Sequence, residues 1–351
     1  MVGGVVFAAS PAIAQAPSPT VETVASGLVV PWSLAFAPDG RLFVAERPGR
    51  IRVIDRDGLT PDPWATLDVA APQGTEAGLM GLAIDPSFQT NGRVYACYSF
   101  ASPQGGILNR IVVLREVDGR GRDEAVLIDN MPGGAYHDGC RLGFGPDGML
   151  YATTGDATDE DLAQELSSPA GKILRLRPDG GVPEDNPFDG SHVWSYGHRN
   201  PQGLAWDPAS DDLWATEHGT RGYNELNRIV RGGNFGWPTI RAGEADDRFI
   251  EPAAGFIDIP PAGAAFVTGT AYPGLEGALV FATLGTGSLQ SVRIDTPDVA
   301  GSRVELIDDR FGRIRDVIMG PDGFLYIATS NRDQLGDPRP DDDRILRVLR
   351  F

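Results

Sequence analysis

Four histidines and two cysteines are all that 351 residues hold of the side chains most often used for proton transfer, thiol chemistry or transition-metal binding. Basic residues are also scarce, with 30 Lys and Arg against 48 Asp and Glu and a net charge of −18. That balance excludes nucleic acid as a partner, which needs a basic stripe. It also disfavours anionic membrane surfaces, and it keeps the chain soluble. No stretch carries a helical period long enough to compete with strands. The apolar stretch at the start, Val2–Ala16, is too short for a permanent bilayer anchor, so no stable membrane insertion is expected. With Ala12-Ile13-Ala14 and Ala14-Gln15-Ala16 as cleavage-type patterns and no basic segment before it, it reads as the remnant of a signal peptide over residues 1–16. Export to the periplasm or the exterior follows.

Glycine and proline, by contrast, are abundant (45 and 28) and spread along the chain, as many tight turns require. One phrase returns six times: an apolar run, a Pro-Asp-Gly-type turn, and a strand of the form Leu-Tyr-Val-Ala. The copies are Leu34–Ala45, Leu82–Tyr98, Leu142–Thr153, Leu204–Thr216, a degenerate Leu275–Thr283, and Val317–Thr329. Each reads as a hairpin, with period-2 alternation on both sides of a turn whose Pro pre-sets φ and whose Gly accepts a positive φ. A third apolar strand is predicted after each copy, at Ile51–Ile54, Ile111–Leu114, Ile173–Leu176, Leu226–Val230, Leu289–Ile294 and Ile345–Leu349. Such units bury themselves by radial repetition. The expected fold is therefore all-β: a six-bladed β-propeller of four-stranded antiparallel blades, forming one domain over residues 17–351. Cys97 and Cys140 fall in different blades and are expected to be two buried thiols, although export would permit a disulfide.

The scarcity of histidine shortens the search for a general base, because His is the side chain most easily poised near neutral pH. His137 sits in a glycine-rich loop, Gly133–Arg141, that leads into a strand. Asp156 ends the same hairpin, so the two can meet. A carboxylate behind an imidazole fixes its tautomer and raises its basicity. Spacing alone also allows His137 to be a solvent-exposed loop residue. Three further clusters stand out. Ser195–Gly203 contains Arg199 and Asn200, donors suited to a planar, oxygen-rich anion. Glu217–Glu225 has two carboxylates and kinked glycine backbone whose carbonyls can hold a hard cation, though it is no EF-hand. Arg313 and Arg315 alternate onto one side of a strand and need an anionic partner, a ligand or a carboxylate.

These loops together resemble the soluble sugar dehydrogenases that depend on pyrroloquinoline quinone (PQQ), the glucose and aldose type. The resemblance is carried by Glu76–Ala83, His137 with Arg141-Leu142 and Gly145–Gly148, Tyr196–Leu204, Gly232–Pro238 and Arg313–Val317. It runs from about residue 21 to the C-terminus. It implies PQQ over one mouth of the propeller with Ca²⁺ beside it, and oxidation of an aldose at C1 to the lactone with hydride passing to the quinone. Carried onto matching positions, His137 is the base and Asp156 orients it. Glu76, Arg199, Asn200, Phe235, Arg313 and Arg315 hold the cofactor, and the backbone carbonyls of Gly219 and Thr220 bind Ca²⁺. The sugar and the electron acceptor are not named by sequence; Thr158–Ser168 and Gly243–Pro261 are the expected walls of the sugar site. Gly285 stands where the family has a lysine near the quinone, and loss of one charge-assisted bond costs on the order of 1.5–3 kcal/mol. Glu76 stands for a glutamine of some relatives and Phe235 for a tyrosine. The alternatives are a sugar- or protein-binding propeller that has lost PQQ, and a calcium-dependent lactone hydrolase on the same fold.

Overall fold

A computed structural model describes residues 19–351 apart from 242, 243, 245, 297 and 298; the segment 1–16, expected to be a signal-peptide remnant, lies outside the described residues. Six antiparallel sheets form a six-bladed propeller. The first blade comprises Pro31–Phe36, Leu42–Glu46 and Arg50–Asp55, with the short strands Gly58–Leu59 and Ala65–Thr66 outermost. The second runs through Leu79–Ile84, Arg93–Ala101, Ile107–Val117 and Arg120–Pro132, and the third through Gly139–Phe144, Leu150–Thr154, Lys172–Leu176 and Val193–Tyr196. The fourth has Pro201–Trp206, Leu213–Glu217, Tyr223–Arg228 and Ala254–Ile257, and the fifth Pro261–Phe266, Leu279–Thr283, Leu289–Thr296 and Val299–Ile307. The sixth blade takes Ile314–Met319, Leu325–Thr329 and Ile345–Arg350 from the end of the chain and its outer strand, Thr20–Ala25, from the beginning. That exchange closes the ring.

The repeated phrase explains the layering. In each blade the second strand is buried on both faces, as in Leu42–Glu46, Leu150–Thr154 and Leu325–Thr329, because blades cover it from either side. The first strands of neighbouring blades contact one another around the whole ring. At the axis Arg141 of the third blade reaches Asp316 of the sixth at 3.0 Å and the Gln202 carbonyl of the fourth at 2.9 Å. Asp316 in turn accepts the Leu34 N–H of the first blade at 2.8 Å. A polar plug therefore fills the channel, and any ligand must sit above it.

Three expectations change. Cys97 and Cys140 are not free thiols but a disulfide, with Cα atoms 5.5 Å apart. Membership of different blades is no separation: adjacent blades pack face to face, and Arg93–Ala101 meets Gly139–Phe144 across that interface. The first strand of the fifth blade is Pro261–Phe266, so the second expected wall, which begins in undescribed residues, ends in sheet. Its sequence hides this because Gly263 must be bare: the Asp316 carboxylate occupies the place of a side chain. The third strand of the fourth blade lies at Tyr223–Arg228, nearer the N-terminus than Leu226–Val230.

Candidate active site

In an antiparallel hairpin the start of the first strand and the end of the second share one end. Glu76, His137, Arg199 and Arg313 precede first strands, and Asp156, Gly219, Thr220 and Gly285 follow second strands. All therefore lie at one mouth, opposite the Pro-Asp-Gly turns.

His137 takes a positive φ of 63°, uncommon for a residue with a side chain and imposed here by its loop. Its Nδ1 lies 2.7 Å from Asp156 Oδ1. The Asp156 carboxylate is 2 % exposed and the His137 ring 20 %, so the carboxylate is sealed while the imidazole reaches the mouth. Asp156 also accepts the Thr158 N–H at 2.8 Å and the Trp237 indole N–H at 2.9 Å. Since an ionised carboxylate only accepts, the Nδ1 proton is fixed and Nε2 is left as the basic atom. Glu76 accepts the His137 backbone N–H at 3.1 Å, and the Asn200 side chain accepts the Gly139 N–H at 3.1 Å. These two residues, expected at the cofactor, thus also hold the loop that carries His137.

The other histidines are engaged differently. His192 and His218 donate Nε2–H to the carbonyls of Gly180 and Pro261, and burial lowers the His218 pKa to about 4. His198 is wholly buried, with Nδ1 at 2.9 Å from Glu217 and Nε2 at 2.9 Å from Ser195. Phe235 is also buried, its ring stacked on His198 with centroids 4.5 Å apart. It lines the same cavity as Arg199, Glu217, Gly219, Thr220, Glu225 and Trp237.

Across the mouth, Arg313 and Arg315 both donate to Asp333 Oδ2, at 2.7 and 3.2 Å. A carboxylate is therefore their internal partner, one that the sequence reading did not name. One carboxylate does not satisfy two guanidiniums: buried Arg315 keeps an Nε–H with no acceptor, as does Arg47. Desolvation, with Arg313 and Arg47 adding like charge, lowers the Arg315 pKa to about 10. Arg199 is held by the carbonyls of His218 (3.2 Å) and Gly219 (2.6 Å) and lies over the Trp237 ring. Four arginines thus share a mouth with Glu76 and Asp333. The unmet buried guanidinium donors fit a ligand with several carboxylates. Arg47 and Asp333 were missed by sequence reasoning, and Trp237, inside the Gly232–Pro238 string, was given no role. Arg47 and Asp333 had a signal, since they follow second strands as Asp156 does.

The family description Glucose / Sorbosone dehydrogenase matches residues 28–336. The chain belongs to the glucose/sorbosone dehydrogenase family. Within it, the chain is 32 % identical over 344 residues to the aldose sugar dehydrogenase YliI of Escherichia coli, covering 88 % of this chain and 89 % of that one. It is 33 % identical over 257 residues to quinoprotein glucose dehydrogenase B of Acinetobacter calcoaceticus, covering 64 % and 53 %. It superposes on the PQQ-bound aldose sugar dehydrogenase of Streptomyces coelicolor with a TM-score of 0.85 at 36 % identity, over 95 % and 98 % of the two chains. A Cβ placed on Gly285, after the second strand of the fifth blade, would meet Pro260 Cγ at 2.9 Å, so the loop leaves little room for a side chain there. The loop that carries His137 is also held from its other side. Asp138, next to His137, is buried with its pKa raised to about 6, chiefly by desolvation. It accepts from Asn109 at 2.8 Å and from the Gly134 N–H at 3.0 Å.

Proposed function

We propose that this chain is an exported, PQQ- and calcium-dependent aldose dehydrogenase that oxidises a sugar at C1 to its lactone. The observation that carries the reading is the half-buried His137 imidazole, with a sealed carboxylate on its Nδ1 and its Nε2 turned to the mouth that the guanidinium groups share. Arg199, Arg313 and Arg315 would hold the quinone carboxylates, with Asn200 and Glu76 beside them and Phe235 behind. The Gly219 and Thr220 carbonyls each already accept one hydrogen bond, from Arg199 and from the Tyr223 N–H. Two such carbonyls are a small part of the six to eight oxygens that Ca²⁺ takes, so calcium binding here would depend on oxygens supplied by the quinone. The Glu217 and Glu225 carboxylates on the same cavity wall add the negative potential that favours a cation.

When bound, PQQ supplies a two-electron hydride acceptor and Ca²⁺ supplies Lewis-acid polarisation. The protein's own part is proton transfer and orientation. His137 Nε2 takes the C1 hydroxyl proton, and Asp156 stabilises the imidazolium that forms. The arginines would fix the acceptor near the base, so that the sugar loses its proton from the C1 hydroxyl oxygen to His137 and its hydride from the C1 carbon to the acceptor. The formed disulfide suits an oxidising compartment, which supports a periplasmic or secreted location. Among the described residues no helix is long and apolar enough to cross a membrane.

The test is titration of the purified chain with PQQ, with and without Ca²⁺, followed by quinone absorbance and then by dye reduction with aldoses. The reading expects saturable, calcium-dependent binding and sugar-dependent turnover. An unchanged absorbance spectrum and melting temperature in the presence of both would sink it.

A further inference from the structure

Trp237 links several groups of the mouth. It lies in the long connection between the third and fourth strands of the fourth blade, 9 % exposed. Its indole N–H donates to Asp156 Oδ2 at 2.9 Å. Its ring is flanked by two guanidiniums, Arg199 at 5.4 Å and Arg241 at 4.6 Å from the centroid. Both attractions use the electron-rich face and leave the N–H in the ring plane, free for the carboxylate.

The backbone of Trp237 is fixed from two sides. Its N–H donates to the Gly197 carbonyl at 3.0 Å, and its carbonyl accepts from Gln164 Nε2 at 2.6 Å. Gln164 and Asn234 exchange a reciprocal pair of amide bonds at 3.0 and 2.9 Å. The Gln164 loop is clamped in turn by Lys172, the chain's one lysine. Its buried Nζ donates to the carbonyls of Leu162 (2.8 Å), Ala163 (3.0 Å) and Ala170 (2.6 Å). A packed path therefore runs from Lys172 through Gln164 and Trp237 to Asp156 and His137.

We propose that Trp237 is a positioning residue for the catalytic pair: its indole N–H pins one oxygen of Asp156, so that the other is aimed at His137 Nδ1 and Nε2 is presented to the substrate. This rests on the reading of His137 as the base. The Thr158 N–H holds Oδ1, the oxygen that faces His137, and the indole holds Oδ2; with the indole gone only the Thr158 N–H restrains the carboxylate, which can turn about that contact while its charge is less dispersed. A more concentrated negative charge favours the imidazolium, so the pair takes up its proton at higher pH. The other charged groups facing the pair are Glu76, Asp138 and Arg199, with Glu217 and Arg241 beyond Arg199. None of them is altered in the variants below.

The test compares the full chain with Trp237→Phe, which keeps a ring between Arg199 and Arg241. A second protein carries benzothienylalanine at position 237, which keeps the indole shape and replaces N–H by sulfur. The ring nitrogens of His137 are titrated by ¹⁵N NMR without PQQ, and turnover is measured with it. We expect the His137 titration to rise by on the order of one pH unit in both variants. The kcat should fall about tenfold or more, with KM for the sugar and PQQ affinity held within about twofold. If the benzothienylalanine protein titrates as wild type and keeps kcat within about twofold, Trp237 is packing only and the inference is wrong. If the wild-type chain loaded with PQQ oxidises no aldose, the proposed function fails while the NMR titration still decides the role of Trp237.

Discussion

The third and fourth blades carry the same pair of residues at nearly the same place: a histidine ahead of the first strand and a carboxylate at the end of the second. His137–Asp156 closes at 2.7 Å and His198–Glu217 at 2.9 Å. Distance does not tell them apart. Glu217 is the last residue of its strand, whereas Asp156 lies just beyond its strand, so the second pair is drawn down into the sheet. His198 then spends its other nitrogen on Ser195 under the Phe235 ring, while His137 Nε2 stays bare and reaches the mouth. A histidine–carboxylate pair is a structural clamp when both nitrogens are used. It becomes a base when one is left over and accessible.

Breaking each pair should therefore fail in different ways. His137→Ala is expected to lower turnover about 10²–10⁴-fold while leaving the melting temperature close to wild type, as measured by dye reduction and calorimetry. His198→Ala should act through stability, because it removes one of three donors to the buried Glu217 carboxylate, which keeps the Arg199 N–H and Asn227. A loss of about 1–3 kcal/mol in denaturant unfolding is expected, with activity retained at temperatures where the chain stays folded. Equal activity losses in two stably folded variants would erase the distinction.

The next effect concerns the frame of the open pair. The Cys97–Cys140 disulfide closes a loop of 43 residues and ends three residues from His137. Replacing both cysteines by alanine should cost about 2–4 kcal/mol of unfolding free energy, and urea titration of the two proteins checks it. The smallest expected effect concerns Asp138, which has no counterpart beside His198. In the unfolded chain it ionises near 3.8, whereas in the fold it keeps its proton to about 6. Over that window the folded state binds more protons, so stability falls as pH rises and remains lower above it. Asp138→Asn removes this loss. Its stability relative to wild type should gain about 1–3 kcal/mol between pH 4 and pH 6. A pH-independent difference between the two melting curves would show that the buried carboxyl does not titrate in this way.

The ring was legible because its signal is local and repeated: each hairpin announces itself by alternation and a Pro-Asp-Gly turn. Where a long-range constraint overrides local preference, the reading failed. Pro261–Phe266 reads poorly as a strand because Asp316, distant in sequence, requires Gly263 to be bare. The disulfide was invisible because no local pattern says which faces of neighbouring blades meet. At the site, His137, Asp156 and Arg199 could be found from their own chemistry. The roles of Asp333, Arg47 and Trp237 could not be read, although the first two follow second strands and the third lies in a quoted string, because each matters through groups of other blades that only the closed ring brings near.

The most direct measurement mixes PQQ-loaded, calcium-replete protein with an aldose and follows quinone absorbance through one turnover, in wild type and in His137→Gln side by side. The account predicts equal PQQ binding in the two proteins, rapid reduction in wild type, and reduction slowed about a hundredfold or more in the variant. Reduction at the wild-type rate in His137→Gln would contradict it.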